Sequence, residues 1–273
     1  MSETEELQKK ARKIRRLVIQ TIGNAGAGHI GGACSAVEIM TILYFHVMNV
    51  DPVNPAWPDR DRCILSKGHS SPAWYCVLAE KGFFPHERLD EFDRIDGMLQ
   101  GHPDMLKTPG VDMSTGALGQ GLSAGIGMAL GREMLGKNFH VFVVLGDGEL
   151  QEGQVWEAAM YAGFHKIPGL IVIVDYNKLQ LTGRTAEVLG IEPLAEKWKA
   201  FGWKVLDCDG HDIKQLVKTV DAAKEIKASP VVIIAHTIKG CGISFIANRV
   251  EWHAKAPNKE ELEKALAELE EKE

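Results

Sequence analysis

Five short runs of apolar residues, many of them β-branched, recur along the chain with helical patterns between them. The apolar residues are continuous rather than alternating in several runs, as in strands of a parallel sheet that is covered on both faces. We therefore predict an α/β fold with a doubly wound, mainly parallel sheet and helices on both faces. Ligands of such folds bind at the carboxyl ends of the strands. The predicted strands are 62–65, 140–145, 170–175, 203–207 and 230–235.

The predicted helices divide the chain into one large domain and a short tail. They cover residues 5–22, 36–47, 72–81, 119–135, 154–164, 193–201 and 213–226. We predict a single domain over residues 1–257, followed by a charged C-terminal helix over 258–273. That tail holds seven acidic and three basic residues, so it carries four of the six net negative charges of the chain. Such a charge excess predicts a helix that is largely solvated.

Composition argues against several classes of protein. No apolar run approaches the roughly 18 residues that a membrane helix needs, and the charged N-terminus has no apolar signal-peptide core. A net charge of −6 provides no basic field for nucleic acid. The five cysteines are odd in number and form no CxxC pair, which favours reduced thiols in a cytosolic protein. We predict a cytoplasmic protein that binds neither membranes nor nucleic acid.

Two successive predicted strands end in polar residues that could share a metal ion. The first strand is followed by Gly146-Asp147-Gly148, and the second ends near Asn177, 30 residues after Asp147. One crossover therefore brings a carboxylate and an amide oxygen to the same edge of the sheet. Hard oxygen ligands suit magnesium, which also takes phosphate oxygens of a substrate. The alternative is that Asp147 only caps the helix that follows it.

A second glycine cluster lies where a helix is predicted to begin. The segment 114–131 (STGALGQGLSAGIGMALG) is rich in small residues, as at helix N-termini that accommodate phosphate. A tightly packed core helix would show the same composition, so both interpretations stay open. The nearby segment 131–137 (GREMLGK) has the spacing of a P-loop. We reject that interpretation because Asn138 replaces the Ser or Thr that binds magnesium and because the segment precedes a strand.

The Gly-Asp-Gly sequence with its distant asparagine resembles the thiamine diphosphate motif. Over nearly its full length the chain resembles the N-terminal, diphosphate-binding half of transketolase. Further matches follow in the order of the family: Gly28-His29 with Gly31, Asp61-Arg62, Leu65-Ser66, Gly68-His69, Gly101-His102-Pro103, Thr115-Gly116, Leu118-Gly119-Gln120-Gly121, and Trp252-His253 with Pro257. Departures from the family pattern are Ile30 in place of proline, Lys239 in place of an apolar residue, and Ala254 in place of glycine.

The resemblance implies a role for each matching residue. Magnesium, or calcium or manganese in its place, would be bound by Asp147, Asn177 and the main-chain carbonyl of Leu179. The residues implied to contact thiamine diphosphate are His69, Gly116, Leu118, Gly148, Glu149, Asn177, Lys239 and His253. Those implied to act in catalysis are His29, His69, His102 and His253, which contact the sugar or the cofactor, and Glu152 and Glu157, which lie at the dimer interface of the family. Histidine suits proton transfer because its ordinary pKa lies near neutral pH.

The resemblance covers only the diphosphate half of the family's site. It implies that a separate C-terminal subunit carries the pyrimidine-binding domain, in an α2β2 heterotetramer. The assembled enzyme would be a transferase of the pentose phosphate pathway type, moving a two-carbon ketol unit from a ketose phosphate to an aldose phosphate. One alternative is the α subunit of a 2-oxo acid dehydrogenase, although that family lacks the Gly-His-Pro and Trp-His motifs. The other is a non-catalytic module that binds thiamine diphosphate.

Overall fold

A parallel sheet of five strands forms the centre of the chain in the computed structural model, which describes residues 2–270. The strands are β1 (Arg62–Leu65), β2 (Val141–Gly146), β3 (Leu170–Tyr176), β4 (Lys204–Asp209) and β5 (Val231–His236). They are arranged in the order β1-β2-β3-β5-β4, and every neighbouring pair is parallel. Each predicted strand is present, with its ends shifted by no more than two residues.

Helices cover both faces of this sheet, which confirms the predicted doubly wound α/β fold. They are α1 (Glu3–Ala25), α2 (Ile30–Ser35), α3 (Val37–Ile42), α4 (Ser71–Lys81), α5 (Gln120–Met134), α6 (Gly153–Phe164), α7 (Thr185–Val188), α8 (Leu194–Ala200), α9 (Ile213–Lys224) and α10 (Lys259–Glu270). Within residues 2–270, no helix has both the length and the apolarity needed to cross a bilayer.

Alternate residues of each central strand belong to two separate hydrophobic cores. In β2, Phe142 and Val144 pack into the core that contains α1 to α4 and α9. Val141, Val143 and Leu145 pack into the opposite core, with α5, α6 and α8. Because both faces of the strand are buried, every position is apolar. This explains why the sequence shows continuous apolar runs instead of alternation.

The structure differs from the predicted helices after residue 28. Helix α2 was not predicted, because Gly31 and Gly32 are poor helix formers. Tertiary packing stabilises the helix, since all six of its residues are buried. Gly31 is needed because a Cβ atom there would lie 2.9 Å from the carbonyl oxygen of Trp252. The predicted helix 36–47 consists of α3 followed by a π-helical turn over Leu43–Val47.

Helix α10 packs one of its faces against α1. Leu262 lies close to Gly23, where a Cβ atom would be 2.7 Å from the leucine side chain. Ala265 is fully buried, and Glu268 accepts hydrogen bonds from the amide and the hydroxyl of Ser244. The tail is therefore amphipathic rather than solvated on all sides. The last three residues of the predicted helix, 271–273, lie outside the described residues.

Candidate functional site

A cavity of about 330 Å³ lies at the carboxyl edge of the sheet. Four strands bring residues to it from just beyond their ends: Lys67 after β1, Asp147 after β2, Asn177 after β3 and Lys239 after β5. The sequence-predicted site residues that line this cavity are His29, His69, His102, Gly116, Leu118, Asp147, Gly148, Glu149, Glu152, Asn177, Leu179, Lys239 and His253. The one that does not is Glu157, which is exposed on α6.

Asp147 and Asn177 meet at this edge, as the crossover between their strands predicts. Asp147 is 1% exposed. Its carboxylate accepts hydrogen bonds from the amide of Gly148 at 2.8 Å and from the amide of Lys178. Burial, and then the nearby Asp175, raise the pKa of Asp147 to about 7. A cation bound beside this buried carboxylate would stabilise its charged form.

The donor set fits a hard cation. The Asn177 side chain donates to Asp175 at 3.5 Å and accepts from the amide of Leu179 at 3.1 Å, so its oxygen lies on the side of Leu179. Within residues 2–270, no group of three or more His, Cys, Asp or Glu side chains could hold a metal ion. The candidate donors are instead one carboxylate, one amide oxygen and one main-chain carbonyl. Such a set would leave coordination positions for water or ligand oxygens, which magnesium usually keeps.

Two of the glycines that line the cavity stand where a larger residue would collide with the cavity wall. Gly116 has a φ of 154°, and a Cβ atom there would lie 3.1 Å from the ring of His102. At Gly148 a Cβ atom would lie 2.9 Å from the side chain of Gln180. Lys239 is buried in the same cavity wall, so the residues present fit a phosphorylated group whose negative charge would face that ammonium group.

Four histidines from four separate loops form one cluster in the cavity. The ring centroid of His29 lies 5.2 Å from that of His69, 5.6 Å from that of His253 and 6.1 Å from that of His102. Burial is the main cause that lowers the pKa of His29 and of His69, and it lowers that of His253, together with Lys239, to about 3. These three rings are therefore neutral near pH 7, so each can both donate and accept a hydrogen bond.

Glu149 lines the cavity, but its carboxylate is engaged with the protein. It accepts from the amides of Gly119 at 2.8 Å and Gly146 at 3.1 Å, and from the hydroxyl of Ser66. One side chain thus joins the ends of β1 and β2 to the start of α5. Glu152 is exposed at the rim of the cavity.

A buried ion pair beneath the cavity was not predicted from the sequence. Lys67 is 2% exposed, pairs with the fully buried Asp175, and donates to the carbonyl of Gly32 at 2.9 Å. Asp175 also accepts from the hydroxyl groups of Ser35, at 2.5 Å, and Thr237. The available signal was a lysine between Ser66 and Gly68, directly after a buried strand, and an aspartate inside an otherwise apolar strand.

We expect Lys67→Met to lower the free energy of unfolding by about 3–5 kcal/mol, because it leaves Asp175 charged and unpaired in the core. The measurement is urea unfolding of the full chain. The control is Lys218→Met, which removes an exposed lysine from α9. Equal stability of the two variants would show that the pair contributes little.

Comparisons with known proteins agree with this geometry. The family described as "Transketolase, thiamine diphosphate binding domain" matches residues 7–270. A 6-deoxy-6-sulfo-D-fructose transketolase subunit of Clostridium sp. strain MSTE9 is 47% identical, over 99% of this chain and 98% of its own length. An apulose-4-phosphate transketolase subunit from Actinobacillus succinogenes is also 47% identical, over 97% of this chain and 96% of its own length.

Solved structures show the same fold within longer chains. Transketolase from Leishmania mexicana superposes with a TM-score of 0.93 at 29% identity, over 97% of this chain and 41% of the other. Transketolase from Campylobacter jejuni gives a TM-score of 0.92 at 30% identity, over 99% of this chain and 43% of the other. The chain thus spans about two fifths of the length of these solved transketolases. On the family match and the full-length relatives together, this chain belongs to the transketolase family and corresponds to its thiamine diphosphate-binding domain.

Proposed function

We propose that this chain is the N-terminal subunit of a two-chain transketolase that uses thiamine diphosphate and magnesium. The reaction is transfer of a two-carbon ketol unit from a ketose phosphate to an aldose phosphate. The observation that carries the proposal is the cavity in which the oxygen ligands, two lysines and four histidines lie together. Relatives of nearly the same length that are named as transketolase subunits support the division into two chains.

The proposed metal ligands are Asp147, Asn177 and the main-chain carbonyl of Leu179. When bound, thiamine diphosphate supplies the electron sink for cleavage and formation of the carbon–carbon bond. The protein's task is to hold that group between the metal ligands and the histidines, to orient the sugar, and to exclude water. Burial of Asp147 favours the bound cation, because water does not compete as it does at an exposed carboxylate.

Lys239 is proposed to contact the diphosphate. Its ammonium group donates to the carbonyl of Leu179 at 3.2 Å and lies 2.5 Å from Nδ1 of His253. Burial, and then Lys67, lower the pKa of Lys239 to about 8, so the ammonium form persists at neutral pH. A metal ion on the Leu179 carbonyl would compete for that oxygen. The ammonium group would then interact with the anion instead.

His29 and His102 are proposed to hold the sugar and to move protons at its hydroxyl and carbonyl oxygens. Burial, and then His102, lower the pKa of His29, so that this ring is neutral and can serve as a general base. Both rings line the cavity, and neither is among the proposed metal ligands. The histidine cluster also favours a sugar substrate over the 2-oxo acid of the alternative dehydrogenase.

We expect His29→Ala and His102→Ala to reduce kcat with a ketose donor about 10²–10³-fold, as for loss of one hydrogen bond to developing charge. Cofactor affinity should change much less. Steady-state kinetics and calorimetry on the assembled enzyme separate the two effects. His86→Ala is the control, because His86 is exposed, pairs with Glu80 and does not line the cavity. Wild-type kinetics in either site variant would make that histidine structural.

An apolar patch on α5 and α6 supports a partner subunit. Met160, Tyr161 and Phe164 on α6 are 55%, 44% and 79% exposed, and Met134 and Leu135 at the end of α5 are 88% and 72% exposed. Helices α5 and α6 pack against each other, and exposed apolar side chains that lie together often mark protein interfaces. Glu157 is exposed on the same helix, in keeping with its proposed place at an α2β2 interface. The experiment that tests the whole proposal is reconstitution of activity with a chain that carries the pyrimidine-binding domain.

A further inference from the structure

Three polar side chains that are connected by hydrogen bonds lie next to the segment that carries Lys239. Arg15 of α1 is 5% exposed and Glu38 of α3 is 6% exposed. The Arg15 guanidinium donates to both oxygens of Glu38, at 2.6 and 2.7 Å. Nδ1 of His211, in the turn between β4 and α9, lies 3.0 Å from the same carboxylate. The mechanism proposed above uses none of these three side chains.

His211 connects Arg15 and Glu38 to the backbone beside Lys239. Its Nε2 accepts a hydrogen bond from the amide of Ile238 at 2.8 Å. Nε2 must therefore lack a proton, and Nδ1 must donate its own proton to Glu38. Burial lowers the pKa of His211, but hydrogen bonds to Cys241 and Glu38 raise it to about 10, which would favour the charged ring. Since Arg15 already neutralises Glu38 and the Ile238 amide points at Nε2, the neutral tautomer is the one that this geometry accommodates.

A hydrogen bond to the Ile238 amide restrains the backbone directly before Lys239. The segment 237–242 leaves the end of β5, and its neighbouring contacts are backbone bonds from Gly240 to the carbonyl of Gly31 and from Asn248 to the carbonyl of Lys239, both at 2.9 Å. The amide of Cys241 also donates to the carbonyl of Ile238 at 3.0 Å. His211 adds a side-chain bond to the amide of Ile238, the residue directly before Lys239. A small shift of that Cα atom would move the ammonium group away from Leu179 and His253, and site geometry is sensitive to displacements of about 1 Å.

We propose that His211 is a positioning residue that fixes the direction in which Lys239 enters the cavity, with Glu38 and Arg15 holding its tautomer. The inference rests on the proposed function in one respect, the contact of Lys239 with the diphosphate. Hydrogen bonds from residues that do not touch a ligand can set the orientation of the groups that do.

The first test needs no ligand. In His211→Phe, which keeps a ring but has no acceptor, amide hydrogen exchange of 237–242 should rise about tenfold, as for loss of one hydrogen bond. In His211→Gln, whose amide can accept from Ile238 and donate to Glu38, protection should be largely restored. Helix α5 on the other face of the sheet reports global stability in both variants. Unchanged protection in His211→Phe would overturn the proposal, and so would a charged His211 ring in the nitrogen NMR spectrum of the wild-type chain at pH 7.

The second test separates this inference from the proposed function. Calorimetry with thiamine diphosphate and magnesium on the assembled enzyme compares His211→Phe, Lys239→Met and the double variant. We expect each single variant to bind about tenfold more weakly and the double variant to bind no more weakly than Lys239→Met. Additive losses would mean that His211 does not act through Lys239, and they would overturn the inference. Unchanged affinity in Lys239→Met would instead remove Lys239 from the proposed diphosphate site, while the exchange experiment would still decide whether His211 holds the segment.

Discussion

The purified 273-residue chain is expected to transfer no two-carbon unit from xylulose 5-phosphate at any concentration of thiamine diphosphate and magnesium. The chain corresponds to 41–43% of the length of the solved transketolases that it resembles. If the two-chain proposal is right, the partner would supply the glutamate that acts on the aminopyrimidine ring and the arginines that bind the sugar phosphate, as the family resemblance implies. Loss of a single positioned proton-transfer group lowers a rate by about 10²–10⁴-fold, and the proposed contacts to the phosphate group of the sugar would be missing as well.

Activity should appear when a chain with the pyrimidine-binding domain is added, and it should saturate at equimolar subunits. A coupled assay of the aldehyde product measures the rate, and sedimentation of the mixture measures the stoichiometry. The control mixes this chain with a partner in which the proposed catalytic glutamate is replaced by glutamine. Two-carbon transfer at ordinary enzymatic rates by the partner-free chain would overturn the two-chain proposal.

The second large effect concerns the proposed metal ligand. Asp147→Ala should abolish the magnesium-dependent binding of thiamine diphosphate to the assembled enzyme while the fold stays intact. The substitution removes the one carboxylate among the proposed ligands. It should not destabilise the chain strongly without ligand, because it also removes a buried carboxylate that is repelled by another carboxylate, Asp175. Calorimetry with and without magnesium measures the binding, and circular dichroism measures the fold.

The matched control for that experiment is Asp207→Ala. Asp207 lies near the end of β4, and its side chain is 62% exposed and paired with His236, so it tests the loss of a strand-end carboxylate outside the cavity. Its cofactor affinity should equal that of the wild type. If the Asp147 variant kept wild-type affinity with magnesium present, the metal assignment would be wrong.

The fold could be predicted from the sequence because its strands are buried on both faces. Continuous apolar runs such as 141–145 have no other good interpretation in a chain of alternating elements. Helix α2 could not be predicted, since its two adjacent glycines disfavour a helix. Only tertiary contacts explain them: a Cβ atom would lie 2.9 Å from the carbonyl oxygen of Trp252 at Gly31 and 2.9 Å from the Ser70 hydroxyl at Gly32. The packing of α10 against α1 was missed for a related reason. The charge of the tail obscured the apolar face formed by Leu262 and Ala265.

Some residues of the candidate site could be named from the sequence and others could not. Motif residues such as Asp147 and His253 could be named because they follow strands or glycines in a recognisable order. The Lys67–Asp175 pair and His211 could not, since their importance comes from partners 108 and 27 residues away in the chain. The sequence does not show which residue pairs with a charged side chain that becomes buried on folding. Only the three-dimensional arrangement shows that Asp175 neutralises Lys67 and that His211 receives the Ile238 amide.

The three hydrogen bonds to Glu149 have a consequence for the thermodynamics of cofactor binding. They join the ends of β1 and β2 to the start of α5 through protein groups alone. The conformational entropy of these three connections is therefore lost when the chain folds, and it need not be lost again when a ligand arrives. Ordering of loops normally subtracts from affinity. The part of the cavity wall formed by Gly146 and Glu149 is thus preorganised, so a ligand that binds there would not have to order it.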